Sequence, residues 1–196
     1  MANQTQRPDT ALHNTSHLMQ YHDLIESIVA AMDARDAYTA KHSDRVADMV
    51  LVLATALDLS EDETTLLHMA AHLHDIGKIA IMDQILKKND RLTDEEFEAI
   101  KTHPQVGAVI AEDILRGVES DSYIKVAHDI ILYHHEKWDG TGYPTGLKGN
   151  KIPLCARIMA VADVYDALRS KRSYKESFSK EKSRKIIVAV SYTHLT

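Results

Sequence analysis

A single cysteine, Cys155, stands in the chain, so no internal disulfide framework is available and a reducing compartment fits best. It lies inside the apolar run 152–164, where a buried and inert thiol is expected rather than a nucleophile. Apolar runs are short, and none approaches the ~18 residues that a membrane span requires. The leading Met1-Ala2-Asn3-Gln4-Thr5 has neither the basic flank nor the apolar centre of a signal peptide, which makes a cytoplasmic location the expectation. Positive charge is also in deficit. A formal net charge of −6 excludes bulk electrostatic binding to a nucleic-acid polymer. Strand signals are weak, no Asn-Gly or Asp-Gly joins two alternating runs, and no repeat is present. What is there is 196 residues with 44% hydrophobic and 27% charged side chains, enough for one globular domain with a real core.

The organisation reads as all-α. Residues 1–17 are polar, carry Pro8, and read as a disordered lead. From Leu18 a helical stripe begins: Leu18, Ile25 and Met32 recur at seven, with Tyr21 and Ile28 between them. That stripe either docks on the domain's own core or pairs with a second copy as a homodimer helix. A helix over 42–57 follows, with Val46, Met49, Val50 and Leu53 on one side. Ser60 then caps a helix through Leu66, Leu67, Ala70 and Leu73 to His74-Asp75, with Gly77 as its stop. Thr93-Asp94-Glu95-Glu96 repeats the capping pattern, and Pro104 sits in the first turn of a helix holding Val106, Val109, Ile110 and Leu115. An apolar run over 124–133 delivers His134-His135, and Pro153 opens a helix over 154–168. The domain is expected to span 18–185, with 186–196 an atypical tail. Residues 169–185 hold eight Lys or Arg against Glu176 and Glu181, and the distal half of that stretch reads as a solvated helix face.

Chemistry concentrates in His42, His74, Asp75, His103, His134, His135 and Asp163, mostly at helix ends where distant segments can converge. Imidazole and carboxylate together suit Mn, Fe or Zn better than Mg or Ca. An adjacent His-Asp pair is poorly explained by amphipathicity, since helix neighbours point about 100° apart. The segment 134–144, two imidazoles running into a glycine turn closed by Tyr143-Pro144, is equally hard to assign to core packing. A metal-dependent phosphohydrolase is the reading these strings support. His68 and His72 have the i, i+4 spacing of a zinc pair but no supporting acid pattern, and read as surface or half-buried residues. His13, His17, His22, His128 and His194 receive no role.

Three strings in order carry a family likeness: His74-Asp75-Ile76-Gly77-Lys78, residues 134–144, and residues 156–168 with Arg172, Tyr174 and Lys175 after them. On these the chain resembles the HD-GYP domains of the HD phosphohydrolase superfamily over about residues 20–185. The resemblance implies hydrolysis of cyclic di-GMP to pGpG, in some members on to GMP, by water activated between divalent cations. It implies one cation held by His42, His74, Asp75 and Asp163, with Asp75 bridging to a second held by His103, His134 and His135. Iron or manganese is the implied metal. Lys78 would serve phosphate or leaving oxygen, Arg172 and Lys175 would grip phosphates, and Gly140 and Gly142 would let the loop approach the ligand closely. Tyr143 would offer an aromatic and hydroxyl surface, Asp166 would orient a ligand or bind guanine, and Glu136 would hold an imidazole N–H. Tyr38 stands where three-metal members have Glu, which implies two cations. Residues 190–196 depart from the family's closing segment, so a truncated or aberrant C-terminus is expected, and a regulatory receiver or sensor would be a separate chain. Alternatives are another HD phosphohydrolase substrate, such as a mixed cyclic GMP-AMP dinucleotide, and a catalytically lost binding or scaffold module.

Overall fold

The computed structural model describes residues 10–35, 41–170 and 177–191, with side chains from residue 21 to residue 188. Among the described residues every regular element is helical, as the pattern predicts. The first helix, α1 (Thr10–Asp33), starts ahead of Leu18, inside the stretch read as a disordered lead. Once later turns are packed, extending a helix adds one hydrogen bond per residue fixed, so polar residues can continue it. Ile25 and Val29 are buried in the single core cluster, with Tyr21, Ile28 and Met32 packed against it, so the stripe docks on this chain's own core.

The core is built from α2 (His42–Ala56), α3 (Glu61–Ala71), α6 (His103–Ile114), α7 (Asp121–Tyr133) and α8 (Leu154–Arg169). Helix α2 packs on α3 and α8, α3 and α6 pack on α7, and α8 also meets α7. Val46, Val50, Leu73, Leu115, Tyr123, Ile130, Ile131 and Met159 fill the space between them. Short α4 (Asp83–Leu86) and α5 (Asp94–Ile100) connect the halves, and α9 (Lys180–Ser191) packs on α8. Helix α9 runs past residue 187 into the stretch read as an atypical tail. In it Glu181, Lys182, Arg184 and Lys185 are exposed while Ser183 is buried, the solvated face expected of the distal basic stretch.

Both capping boxes form. Glu63 N donates to Ser60 Oγ at 3.3 Å and Ser60 N to Glu63 Oε2 at 3.0 Å; Glu96 N donates to Thr93 Oγ1 at 3.2 Å and Thr93 N to Glu96 Oε2 at 2.7 Å. Gly77 behaves otherwise than expected. Helix α3 already ends at Ala71, and Gly77 lies within a 3₁₀ turn, Ile76–Ala80. A Cβ on Gly77 would collide with the His103 carbonyl and the Gly107 amide, so glycine here permits close packing on α6 rather than a left-handed stop. Arg35, just past α1, anchors the same turn by donating to Ile79 O and Ile81 O, both at 2.8 Å, and to Asp83 Oδ1 at 2.6 Å.

Cys155 is a half-buried free thiol, and burial pushes it up to about 11, protonated and inert as expected. No described helix is long and apolar enough to cross a membrane.

Candidate metal centre

Three histidines lie within three residues of helix C-termini, where the last carbonyls lack intrahelical partners. After α3, His74 Nδ1 lies 2.9 Å from Ala71 O; after α5, His103 Nδ1 lies 2.7 Å from Ile100 O. After α7, His134 Nδ1 lies 3.0 Å from both Ile130 O and Ile131 O. A carbonyl accepts only, so in each ring Nδ1–H donates and Nε2 is left with a bare lone pair. All three rings are fully buried or nearly so, and all three Nε2 atoms turn to one carboxylate. Asp75 Oδ2 lies 3.2 Å from His74 Nε2, and Oδ1 lies 3.2 Å from His103 Nε2 and 3.9 Å from His134 Nε2.

Lone pairs pointing at a carboxylate repel it. His74 Nε2 and Asp75 Oδ1 are buried without a hydrogen-bond partner, an arrangement that a cation between them satisfies and nothing else among the described residues does. The donors fall into two groups whose ligand atoms lie within 4.8 Å of one another: Asp75, His103, His134 and His135, and His42, His74 and Asp75. Asp75 belongs to both. Imidazole nitrogens with a shared carboxylate fit divalent transition metals. Asp163, the seventh expected ligand, joins through His42, whose Nε2 lies 3.3 Å from its Oδ1.

The charges agree with that use. Burial drives His134 well below its ordinary value and His135 down to about 3, helped by neighbouring imidazoles, so both rings are neutral. Burial opposes ionisation of Asp75, but the Lys78 ammonium beside it, the largest opposing cause, helps hold its carboxyl well below the usual range. Ionisation of Asp163 is likewise resisted by burial, but the His42 hydrogen bond and charge help hold its carboxyl low. His42 is the exception: burial pulls it down, but Asp163 and Asp166 outweigh that and raise it to about 9.

The remaining expected residues divide. Lys78 donates to Asp75 Oδ2 and lines a cleft of about 460 Å³, part of it open to solvent, together with His42, Asp75, Ile79 and the α1 residues Val29 and Met32. Tyr143 stacks on His135 with centroids 4.7 Å apart, which places its ring against the centre. Asp166 is buried and engaged: it lies 2.7 Å from His42 Nδ1 and accepts from Arg45 Nε at 2.7 Å and Nη2 at 2.9 Å. It is thus placed to orient His42. Gly142 also departs from expectation, because a Cβ there would strike the chain's own backbone at His135, Glu136 and Lys137. The close approach is loop to loop. Glu136, expected on an imidazole, accepts instead from Thr145 N and Thr145 Oγ1 at 2.7 Å each and so closes that loop. Arg172, Tyr174, Lys175 and Tyr38 lie outside the described residues.

Sequence reasoning missed Arg45, one turn after His42 on α2, whose signal was the Arg and Asp166 that it grips across the fold. It also set apart His22, His68 and His72, which the fold brings together.

Residues 23–195 match the HD domain family. A cyclic di-GMP phosphodiesterase of Vibrio cholerae serotype O1 is 44% identical over 178 residues, which cover 87% of this chain and 36% of that protein. A 3'3'-cGAMP-specific phosphodiesterase 2 of the same organism is 39% identical over 172 residues, 88% of this chain and 32% of that protein. The chain thus spans about a third of the length of these relatives. Among solved structures, Bd1817, an HDG"Y"P protein from Bdellovibrio bacteriovorus, superposes with a TM-score of 0.64 at 21% identity, covering 96% of this chain and 61% of that one. The last likeness concerns the fold alone.

Proposed function

This chain belongs to the HD domain family, and from that premise we propose that it is a metal-dependent phosphodiesterase opening cyclic di-GMP to linear pGpG, with GMP as a further product. The observation that carries the reading is Asp75, one buried carboxylate shared by two groups of imidazole donors. We assign His42, His74, Asp75 and Asp163 to one cation and Asp75, His103, His134 and His135 to a second, with iron or manganese as the ions. When bound, such a pair lowers the pKa of a water and offsets charge on a phosphodiester.

The chain's own residues do the rest. The Lys78 ammonium, beside Asp75 at the cleft wall, supplies positive charge to a phosphate oxygen or a proton to the leaving oxygen. Tyr143 forms a ring wall over His135 for the dinucleotide. Arg172 and Lys175 grip the phosphates from the basic segment that follows α8. Activity in the cytoplasm agrees with the free thiol of Cys155. The relative named for 3'3'-cGAMP favours testing the mixed dinucleotide beside cyclic di-GMP.

The test is anaerobic loading of the purified chain with Fe²⁺ or Mn²⁺, followed by product chromatography on both dinucleotides. Cyclic di-GMP should be linearised, and His74→Ala or Asp75→Ala should abolish turnover while the helical circular dichroism is kept. Folded, loaded protein with no product from either substrate overturns the proposal.

A further inference from the structure

His22 lies on α1, His68 on α3, and His72 is the residue that closes α3. The three rings meet, with centroids 5.2 Å apart for His22 and His72, 5.3 Å for His68 and His72, and 5.9 Å for His22 and His68. One ring nitrogen from each lies within 4.8 Å of the other two.

Their outer partners decide which nitrogens are bare. His22 Nε2 lies 3.2 Å from Glu26 Oε1, one turn on, so Nε2–H faces the carboxylate and Nδ1 is left buried with no partner. His68 Nδ1 lies 3.2 Å from Ala47 O, so that nitrogen donates and Nε2 keeps its lone pair. His72 is 4% exposed, and neither of its nitrogens has a hydrogen bond; the nearest acid, Asp44 Oδ1, is 3.7 Å from Nδ1. A buried imidazole with two unpartnered nitrogens leaves a donor and an acceptor unmet, and packing of ring edges on faces does not satisfy them. Two outer groups holding two rings in the tautomer that bares the inward nitrogen is how histidine ligands are oriented around a metal.

We propose that His22, His68 and His72 form a cation site apart from the Asp75 centre, taking a borderline transition-metal dication with zinc preferred. Three imidazole nitrogens exclude Mg²⁺ and Ca²⁺, which demand oxygen. In a tetrahedral zinc shell, nitrogens stand about 3.4 Å apart, so small ring rotations close the site. Water, or Asp44 from α2, takes the fourth position. The site differs from the Asp75 centre in kind, since its three core donors are all imidazoles and none of them is shared between two ions. Its effect is to clamp the middle of α1 to α3, complementing the Arg35 contacts that hold the end of α1. His72 also lines the cleft that exposes His42 and Asp75, so the clamp fixes one wall of it.

The experiment strips the full chain with chelator, loads it with Zn²⁺ alone, and counts ions retained after gel filtration. His22→Gln and His68→Gln should each retain one equivalent fewer than the parent chain, and loading with Co²⁺ should give visible absorption bands that these variants lack. The difference of one does not depend on how many ions the Asp75 centre holds or on whether the protein turns over a substrate. Imidazole ¹⁵N spectra of the parent chain serve even where a variant fails to fold, and Zn²⁺ should shift the His22 Nδ1 and His68 Nε2 resonances. Equal ion counts in the parent and a folded variant, or imidazole resonances unmoved by Zn²⁺, overturn the proposal.

Discussion

Asp75→Asn keeps the shape of the shared ligand and removes its charge, so both donor groups should weaken together. The expected result is a loss of more than one ion per chain relative to the parent by elemental analysis. Asp166→Asn is the subtler change, because Asp166 touches His42 and Arg45 rather than an ion. Loss of such an outer carboxylate usually costs 10–100-fold in metal affinity, on the order of 1.4–2.7 kcal/mol, and it should appear in the His42 group alone. The titrations separate the two groups as well. His42 holds its proton up to about 9, so a cation must displace that proton, and affinity at its group should rise about tenfold per pH unit until then. His134 and His135 are already neutral, so neither has a proton to release when a cation binds near neutrality. Calorimetry in two buffers of different ionisation enthalpy will show about one proton released for the first group. In the ion-free chain, His42 folded with a raised pKa stabilises below its ordinary 6.5, and that contribution is lost as pH climbs through about 9.

Helix ends, more than helix faces, build the centre. The apolar periods at Val46, Val50, Ile130 and Met159 were enough to predict an all-α chain, because burying one stripe is what period 3.6 encodes. The capping boxes at Ser60 and Thr93 were legible for the same local reason. Gly77 was misread, since a glycine after an apolar helix signals a stop unless the distant partner, here the His103 carbonyl and Gly107, is known. Gly142 and Glu136 found other partners than expected through the same gap: these are the loop's own backbone and Thr145, neither fixed by spacing. His22 carried no local signal at all, because its partners lie on another helix. Two substitutions separate the scales. Ser60→Ala should cost about 1 kcal/mol by thermal unfolding and leave metal content unchanged. Gly77→Ala forces the 3₁₀ turn off α6, should cost roughly 1–3 kcal/mol or more, and should lower metal content, since His74 and His103 sit on the two surfaces driven apart.

For the whole molecule, ions are part of the stability. Any cation bound to the folded chain and not to the unfolded one adds RT ln(1 + [L]/Kd), about 2.7 kcal/mol at a hundredfold excess over Kd. Chelation should therefore lower the unfolding temperature by roughly 5–10 °C for a chain of this size, and added Mn²⁺ should restore it. An unfolding curve indifferent to chelator and ion would contradict the bare-nitrogen reading of His74, His103 and His134.

Those rings are fastened to carbonyls that close three separate helices, and the residues they surround are scattered from His42 to Asp163. An unfinished polypeptide emerging during synthesis thus offers only isolated donors, and neither proposed ligand set is whole until Asp163 or His135 has been made. Ion capture and closure of the core become a single late event, which makes the ion supply at the moment of biosynthesis part of how this chain matures.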